Sequence, residues 1–361
     1  MTEYSLPKIS EFYDGKKRAT NIDLAKFALM PFVFFALLGF PSLWGVGDYI
    51  SAFSNFAALS FFIFCGFFTL TPNKEKRIVK LKRAVKRSFI FFAVLFLAYI
   101  VFNVTVLAVF NSLGSLTDPE FLRFRTVFNF LVLNVWPLPI GKGIWFIQSL
   151  LYAYVFFFVA EKLKLYKTYV PVLVVLLIFM ILTGELAAVS RFQMPGGFLT
   201  KAIPFMLIGM LIRKYVDKLA KIPRFVYIIT FFGGILFALG EFFLLRHFGL
   251  LVYTGNFVGY GVMAISFCCF AISDPFVGQG FLGTHSANYA RRMYALCQPV
   301  SFLSWLVSVR VFPTALATVM EFNSFLCLVI CFVLAFFIGL AKFKILRRIR
   351  KRKNKNSKSE K

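Results

Sequence analysis

Residues 74–110 read KEKRIVKLKRAVKRSFIFFAVLFLAYIVFNVTVLAVF, a basic segment followed directly by an apolar one. The first part, residues 74–87, carries eight Lys or Arg residues against the single acid Glu75. The second part, residues 89–110, is as long as the roughly 20 residues that a helix needs to cross a bilayer. The sequence therefore predicts a basic cytoplasmic segment, whose spacing also allows an amphipathic surface helix, and a membrane-spanning helix after it.

The same alternation extends along the whole chain. Hydropathy predicts ten spans, at residues 24–43, 50–70, 89–110, 144–160, 169–183, 198–212, 225–245, 255–273, 293–312 and 321–341. Of the 41 Lys and Arg residues, 33 fall in six segments on one predicted side, residues 1–22, 71–88, 161–168, 213–224, 274–292 and 342–361. Because cytoplasmic connections are enriched in basic residues, this asymmetry predicts that both termini are cytoplasmic.

The composition favours a membrane protein. The chain is 60% hydrophobic and 19% aromatic, with a mean hydropathy of +0.79, which leaves too little polar surface for a water-soluble globule. Long apolar runs without alternation favour helices over a β-barrel. We therefore expect an all-α, multi-pass protein of the plasma (inner) membrane, surrounded by the lipid bilayer.

The expected organisation has three parts. Residues 1–22 form a cytoplasmic tail, residues 23–341 form a single ten-helix transmembrane domain, and residues 342–361 form a basic cytoplasmic tail. The basic tail is expected to lie on anionic lipid headgroups. From Asn354 onward it is polar enough to be disordered.

Several functional classes are disfavoured by the residue pattern. The net charge of +26 is scattered over predicted cytoplasmic loops without a recognition motif, so we expect no nucleic-acid partner. The six cysteines lie in or at the ends of apolar spans and are interpreted as small buried hydrophobes. Neither His247 nor His285 has ligand-type neighbours at helical spacing, so we expect no metal site. We place His285 in a cytoplasmic loop.

Four segments resemble motifs of one protein family. Residues 22–28 (IDLAKFA) are similar to the start of its first helix, which reads Leu-Asp, two residues, then Arg or Lys, and residues 61–67 (FFIFCGF) resemble its second helix. Residues 143–152 (GIWFIQSLLY) resemble its Trp-Phe-Leu helix, and residues 204–210 (PFMLIGM) its Pro-Phe-Phe helix. The family is acyltransferase family 3, and with the ten-span topology the resemblance covers most of the chain.

The resemblance implies a reaction. Family members transfer an acetyl or other short acyl group from cytoplasmic acyl-CoA to a hydroxyl of a surface polysaccharide, glycolipid or related acceptor. Acyl-CoA is then the co-substrate, no cofactor is bound, and proteins of surface-polysaccharide assembly are implied partners. Such a transfer needs a base for the hydroxyl and cationic groups for the CoA phosphates and the developing oxyanion.

Two positions depart from the family pattern. The family has a His, taken as catalytic, eleven positions after the basic residue of the first helix; counting from Lys26 gives Leu37. Residues 294–299 (YALCQP) are similar to the family's Tyr-Leu-Ile-His-Pro segment, with Gln298 in the His position. Because Gln does not take a proton at neutral pH, whether the chain is active stays open, and no catalytic residue is assigned.

Polar residues inside apolar spans are the remaining candidates, since charge within a membrane is costly and tends to face a cavity or a partner. Asp23 and Lys26, three residues apart at the inner end of the first span, are candidates for binding the acyl donor. Lys26 could equally be an interface anchor that reaches the headgroups. Trp145 and Gln148 are candidates for an acceptor cavity, and Gln148 could instead pack the bundle through an interhelical hydrogen bond.

Arg310, near the outer end of the ninth span, and Gln298 complete the acceptor-side candidates. Arg310 could form a structural ion pair with Glu241 or Glu185, or the pair could bind a saccharide. The alternative function is a catalytically inactive relative that acts as a glycan or lipid translocator or as a partner subunit, which Leu37 and Gln298 favour. A third alternative, an unrelated transporter, predicts an inverted repeat that the sequence does not show.

Overall fold

The structure is a computed structural model, and it describes residues 9–14, 19–41, 47–109, 124–133, 141, 143–190, 197–249, 257–278, 281–311 and 316–359. Within these ranges the regular structure is helical and contains no strand. The helices are α1 Ile9–Asp14, α2 Thr20–Ala28, α3 Met30–Leu38, α4 Gly47–Phe53, α5 Phe56–Thr69, α6 Lys74–Val109, α7 Phe124–Leu133, α8 Ile144–Lys162, α9 Tyr169–Ser190, α10 Ile203–Lys214, α11 Val216–Leu219, α12 Arg224–His247, α13 Val258–Ile272, α14 Phe281–Val311, α15 Leu316–Glu321 and α16 Asn323–Ser359. A 3₁₀ turn at Leu165–Thr168 precedes α9, and a π-helical turn at Phe198–Ala202 precedes α10.

Six helical segments of the described residues are long and apolar enough to cross a membrane. They are Thr20–Leu38, Gly47–Thr69, Lys74–Val106, Ile144–Lys162, Arg224–His247 and Asn323–Ala341. The shorter apolar helices Leu165–Ile181 and Val258–Ile272 coincide with the predicted fifth and eighth spans. The predicted sixth and ninth spans fall on α10 and α14. The prediction of an all-helical protein with membrane-crossing helices is confirmed at this level.

The first span is interrupted where the sequence contains Pro31. Helix α2 ends at Ala28, Leu29 forms a turn, and α3 starts at Met30. Pro31 thus lies in the first turn of α3, where a missing N–H costs least because the first N–H groups of a helix have no intrahelical acceptor. Helix α3 then ends at Gly39, whose φ of 84° is a conformation that glycine adopts without strain.

Three predicted boundaries are wrong because the helices continue through them. Residues 74–87 are the first turns of α6 and do not form a separate surface helix. His285 lies on α14, which begins at Phe281, and not in a loop. The predicted disorder from Asn354 is replaced by helix through Ser359. No Gly or Pro stands at the boundary between the polar and the apolar part of these helices. Adding residues to an existing helix avoids the cost of helix nucleation, so the helices continue across the boundary.

Close helix packing in the core depends on glycines. A Cβ on Gly66 of α5 would overlap a main-chain carbonyl of α10, and a Cβ on Gly209 of α10 would overlap a main-chain carbonyl of α5. Gly234 and Gly259 face each other between α12 and α13, where a Cβ on Gly234 would lie 3.1 Å from the Gly259 carbonyl oxygen. Small residues allow the backbones to approach in this way, which gives dispersion contacts over a large area.

One end of the bundle carries the connections between α5 and α6, α8 and α9, α10 and α12, and α13 and α14; we call it the basic end. Helix α1 lies across it. The Arg213 guanidinium donates to the Ser10 carbonyl at 3.1 Å and lies 5.4 Å from the centroid of the Tyr13 ring. The Ser10 N–H donates to Asp217 at 2.9 Å, and the Tyr13 hydroxyl donates to the Ile272 carbonyl at 3.0 Å. These contacts join the ends of α10, α11 and α13.

A buried ion pair joins two further connections at the basic end. A guanidinium nitrogen of Arg77 on α6 lies 2.9 Å from a carboxylate oxygen of Glu161 on α8, and their side chains are 13% and 2% exposed. The Tyr169 hydroxyl donates to the other Glu161 oxygen at 3.0 Å. Arg77 also donates to the Thr71 carbonyl at 3.2 Å. The network therefore fixes the start of α6 against the end of α8 and the start of α9.

Candidate functional site

The largest cavity described in the bundle has a volume of about 750 Å³ and lies between α2, α3, α5, α6, α8 and α14. Each long helix contributes residues at helical spacing, so one face of each lines the cavity. On α6 these are Ala84, Arg87, Ser88, Phe91 and Val94. Helix α14 contributes Ala287, Ala290, Arg291 and Tyr294. A volume of this size is within the usual range of small-molecule sites.

The depth of the cavity follows from the helices that line it. Along α2 and α3 the lining extends from Lys26 to Leu37, and along the antiparallel α5 and the turn before it the lining extends from Cys65 back to Ser54. Both stretches cover twelve residues, and their eleven steps of 1.5 Å correspond to about 16 Å along a helix. The hydrocarbon core of a bilayer is about 30 Å thick, so the cavity extends over about half of that distance.

Three cations line the cavity near the basic end. They are Lys26 on α2, Arg87 on α6 and Arg291 on α14, and both arginines are exposed. The Lys26 ammonium lies 5.3 Å from the ring centroid of Phe68, on the wall formed by α5. No carboxylate occurs among the described residues that line the cavity. The mouth is therefore suited to an anion such as a phosphate group.

Apolar side chains dominate the walls beyond this mouth. They include Met30, Val33, Ala58, Phe61, Phe146 and Leu150. Two side chains with polar groups, Cys65 and Tyr154, also line the cavity. Ile90 and Val94 of α6 line the cavity while 50% and 58% exposed, so this wall borders the outer surface of the bundle. The walls can thus accommodate an acyl or pantetheine-like chain.

The far end of the cavity is closed by a contact between α3, α8 and α14. The Tyr294 hydroxyl donates to the Gly143 carbonyl at the start of α8. A Cβ on Gly143 would lie 3.5 Å from the Leu37 side chain, which places Leu37 against the same contact. Trp145 also lines this end, together with Asn55. Leu37 therefore lies inside the cavity, at the position where the family resemblance leads us to expect a histidine.

Lys26, considered for the donor, and Trp145, considered for the acceptor cavity, line one and the same cavity, and the other candidates do not join them there. Asp23 and Gln298 are not among the residues that line the cavity. Gln148 is 1% exposed, and its amide donates to the Phe130 carbonyl at 2.8 Å. Gln148 thus holds α7 against α8, which is the packing role considered from the sequence.

Of the outer ion pair considered for Arg310 and Glu241, the structure describes the Glu241 side chain only. The two Glu241 oxygens accept the backbone N–H groups of Val258 and Gly259, each at 3.0 Å. Glu241 therefore caps the N-terminus of α13, where a negative charge is favourable. Arg310 lies on α14 and Glu185 on α9, and the side chains of both are outside the described residues.

Sequence reasoning missed most of the residues that make the cavity. Arg87 and Arg291 were assigned to topology alone, and Cys65 was interpreted as a buried hydrophobe. A helical-wheel comparison carries a signal for Arg87, because Ala84, Arg87, Ser88 and Phe91 share one face of α6. Nothing comparable marks Tyr154, since a tyrosine in an apolar helix has no distinguishing pattern.

Comparisons of the chain with models of protein families, with curated proteins and with solved structures gave no match. No group of three or more His, Cys, Asp or Glu side chains that could hold a metal ion occurs within the described part of the chain. The chemistry of the site is therefore argued from the cavity itself.

Proposed function

We propose that the protein is a membrane O-acyltransferase that binds acyl-CoA and transfers an acetyl or other short acyl group to a hydroxyl of a surface polysaccharide or glycolipid. The supporting observation is the convergence of Lys26, Arg87 and Arg291 at the mouth of a largely apolar cavity without a carboxylate. Acyl-CoA complements this cavity, because its phosphates are anionic and its thioester arm is long and uncharged. The resemblance to acyltransferase family 3 supports the same reaction.

The proposed orientation places the basic end in the cytoplasm of a cell with this protein in its plasma (inner) membrane. Ten spans and cytoplasmic termini follow from the excess of basic residues on one side. The three cations then meet cytoplasmic acyl-CoA, and the far end of the cavity lies about half-way across the bilayer. Proteins of surface-polysaccharide assembly are the proposed partners.

The proposed transfer forms one bond and breaks another. The acceptor oxygen bonds to the thioester carbonyl carbon, the carbon–sulfur bond breaks, and the hydroxyl proton ends on the CoA sulfur. Lys26, Arg87 and Arg291 bind the phosphates and hold the thioester in the cavity, which contributes by positioning. Because Leu37 cannot take a proton, a base must come from elsewhere or the rate depends on positioning and charge alone.

A second candidate is a non-catalytic protein on the same scaffold, acting as a glycan or lipid translocator or as a partner subunit. Leu37 at the far end of the cavity favours it, since the position lacks an ionisable group. The exposed wall residues Ile90 and Val94 would give a lipid chain lateral access. Both candidates bind an anion at the mouth of the cavity, but only the transferase releases CoA.

The test uses the full-length protein in lipid nanodiscs. Binding of acetyl-CoA and of longer acyl-CoAs is measured by calorimetry. Released CoA is measured by mass spectrometry, both with water alone as the acceptor and with added polysaccharide and glycolipid from the cell envelope. A hydrogen bond to a charged group contributes about 1.5–3 kcal/mol, so Lys26→Met and Arg291→Met should each weaken binding about tenfold or more. Lys221→Met is the matched control, because Lys221 is an exposed cation at the basic end that does not line the cavity.

The outcomes separate the candidates. Saturable binding with CoA release, both reduced by the two cavity variants and not by Lys221→Met, supports the transferase. Saturable binding without release of CoA from any acyl-CoA supports the non-catalytic candidate. Absence of saturable binding in the wild type would refute the proposed donor site for both.

A further inference from the structure

A second, much smaller cavity lies beside the large one. Its volume is about 10 Å³, and it is lined by the polar residues Asn55, Lys201 and Tyr260 together with Leu59, Met180 and Phe257. A space of this size holds about one water-sized particle. Asn55 also lines the far end of the large cavity, so the two spaces are neighbours.

Lys201 brings an uncompensated cation to this small cavity. It lies in the π-helical turn before α10, where the residue is partly buried. Its ammonium lies 5.3 Å from the centroid of the Trp145 ring, a cation–π contact. No salt bridge joins Lys201 to a carboxylate among the residues described, and the Glu241 carboxylate, whose charge acts on Tyr260, accepts the N–H groups of α13. A cation inside a membrane bundle is costly unless a counter-charge accompanies it.

Tyr260 supplies an unused donor at the same place. The residue is 1% exposed, and its hydroxyl has no hydrogen-bond partner among the described atoms. A buried hydroxyl without a partner costs about 1–3 kcal/mol, so such groups normally hold a ligand or a water. Asn55 adds an amide, of which one N–H donates to the Ala52 carbonyl at 2.9 Å.

We propose that Lys201, Tyr260 and Asn55 form a binding site for one monoatomic anion of the chloride class. The ammonium, the hydroxyl and the second amide N–H each donate to it, and the anion neutralises Lys201 inside the bundle. A water molecule would satisfy Tyr260 but would leave the charge of Lys201 uncompensated. The site is independent of the acyl-CoA proposal, because none of its donors lies at the cationic mouth.

The indole of Trp145 reports on the site, since bromide quenches tryptophan fluorescence on contact. The full-length protein carries Trp44→Phe, Trp136→Phe and Trp305→Phe, so that Trp145 alone fluoresces. Sodium bromide is titrated against sodium gluconate at constant ionic strength. We expect quenching that saturates, that chloride reverses, and that Lys201→Met abolishes while Lys201→Arg retains it.

Lys26→Met is the matched control, because it removes a cation that lines the large cavity only, and saturable quenching should persist in it. If Lys201→Met fails to fold, Tyr260→Phe gives the same test: the half-saturating bromide concentration should rise several-fold. Quenching that increases linearly with bromide, equally in the wild type and in these variants, means that the space holds water only and overturns the proposal.

Discussion

Removing the carboxylate of Glu161 should destabilise the fold strongly. Glu161 is 1% exposed and lies 2.9 Å from a guanidinium nitrogen of Arg77. Glu161→Ala leaves the Arg77 guanidinium buried without its counter-charge and also removes the acceptor of the Tyr169 hydroxyl. Breaking a buried ion pair by removing one partner costs about 3–5 kcal/mol, and we expect the free energy of unfolding to fall by this amount.

A second ion pair of the same chain provides the comparison. Arg224 and Asp274 also form a pair at the basic end, but their side chains are 46% and 29% exposed. Exposed pairs contribute about 0–1 kcal/mol, so Asp274→Ala should cost no more than that. The free energy of unfolding is measured by titrating SDS into mixed micelles and following helical circular dichroism.

Two results would contradict this reasoning. One is a loss in Glu161→Ala no larger than in Asp274→Ala, which would mean that the Glu161 pair is solvated in the folded protein. The other concerns the double variant Arg77→Met with Glu161→Leu, which replaces both charges by apolar groups. It should be more stable than either single variant, because neither charge is left buried alone.

Two further predictions concern packing and pH. Gly66→Ala should destabilise the protein because its Cβ overlaps a main-chain carbonyl of α10, whereas Gly233→Ala, with no atom within 4 Å of its Cβ, should be neutral or stabilising; the same SDS titration measures both. Burial raises the pKa of Asp274, but the Phe276 N–H and the Arg224 guanidinium outweigh it and hold the pKa below its ordinary value of 3.8. A lowered pKa in the folded state means that the stabilisation is present above the unfolded pKa and is lost as the pH falls through the folded one. The stability advantage of wild type over Asp274→Asn, up to about 1 kcal/mol, should therefore begin to decrease below roughly pH 4 and disappear once the pH is below the lowered folded-state pKa.

The positions of the helices could be predicted well from the sequence, and their ends could not. Within the part of the chain that the structure describes, each of the ten predicted spans falls mainly on helical residues, because long apolar runs in lipid must satisfy their backbone groups internally. Hydropathy, however, reports the medium around a residue and not the end of a helix. At Arg87, Ser88 and Phe89 the medium is predicted to change while the hydrogen-bonding of α6 continues. For the same reason, α14 begins before its predicted span and α16 continues beyond its predicted span.

The candidate site was predicted in part. Lys26 and Trp145 stand out in the sequence because each is an unusual residue in an apolar helix, and both line the cavity. Gln148 stands out equally, but its amide bonds to α7, an amphipathic helix outside the ten predicted spans. Sequence spacing gives the face that a residue shares with its neighbours, while the element that packs on that face depends on the tertiary arrangement. Arg87 and Arg291 were missed for this reason.

Topology alone does not explain why three of the basic residues line one cavity. The positive-inside rule requires basic residues on one side of the membrane but does not specify their positions. An exposed residue such as Lys82 or Lys221 fulfils it equally well. Lys26, Arg87 and Arg291 come from three helices far apart in sequence, yet they line the same space. Because like charges that converge repel one another, this arrangement disfavours the empty bundle and favours one that holds an anion.

In the proposed reaction, donor binding and turnover are separable. The three cations that would bind the donor lie at one end of the cavity and Leu37 at the other, so the proposal assigns Leu37 an effect on turnover and not on donor binding. General-base assistance contributes about 10²- to 10⁴-fold to a rate, and positioning can contribute as much or more. A cavity that binds acyl-CoA but lacks a base is thus expected to be slow and not necessarily inactive. The ratio of binding affinity to turnover is then the quantity that distinguishes a transferase from a binding protein on this scaffold.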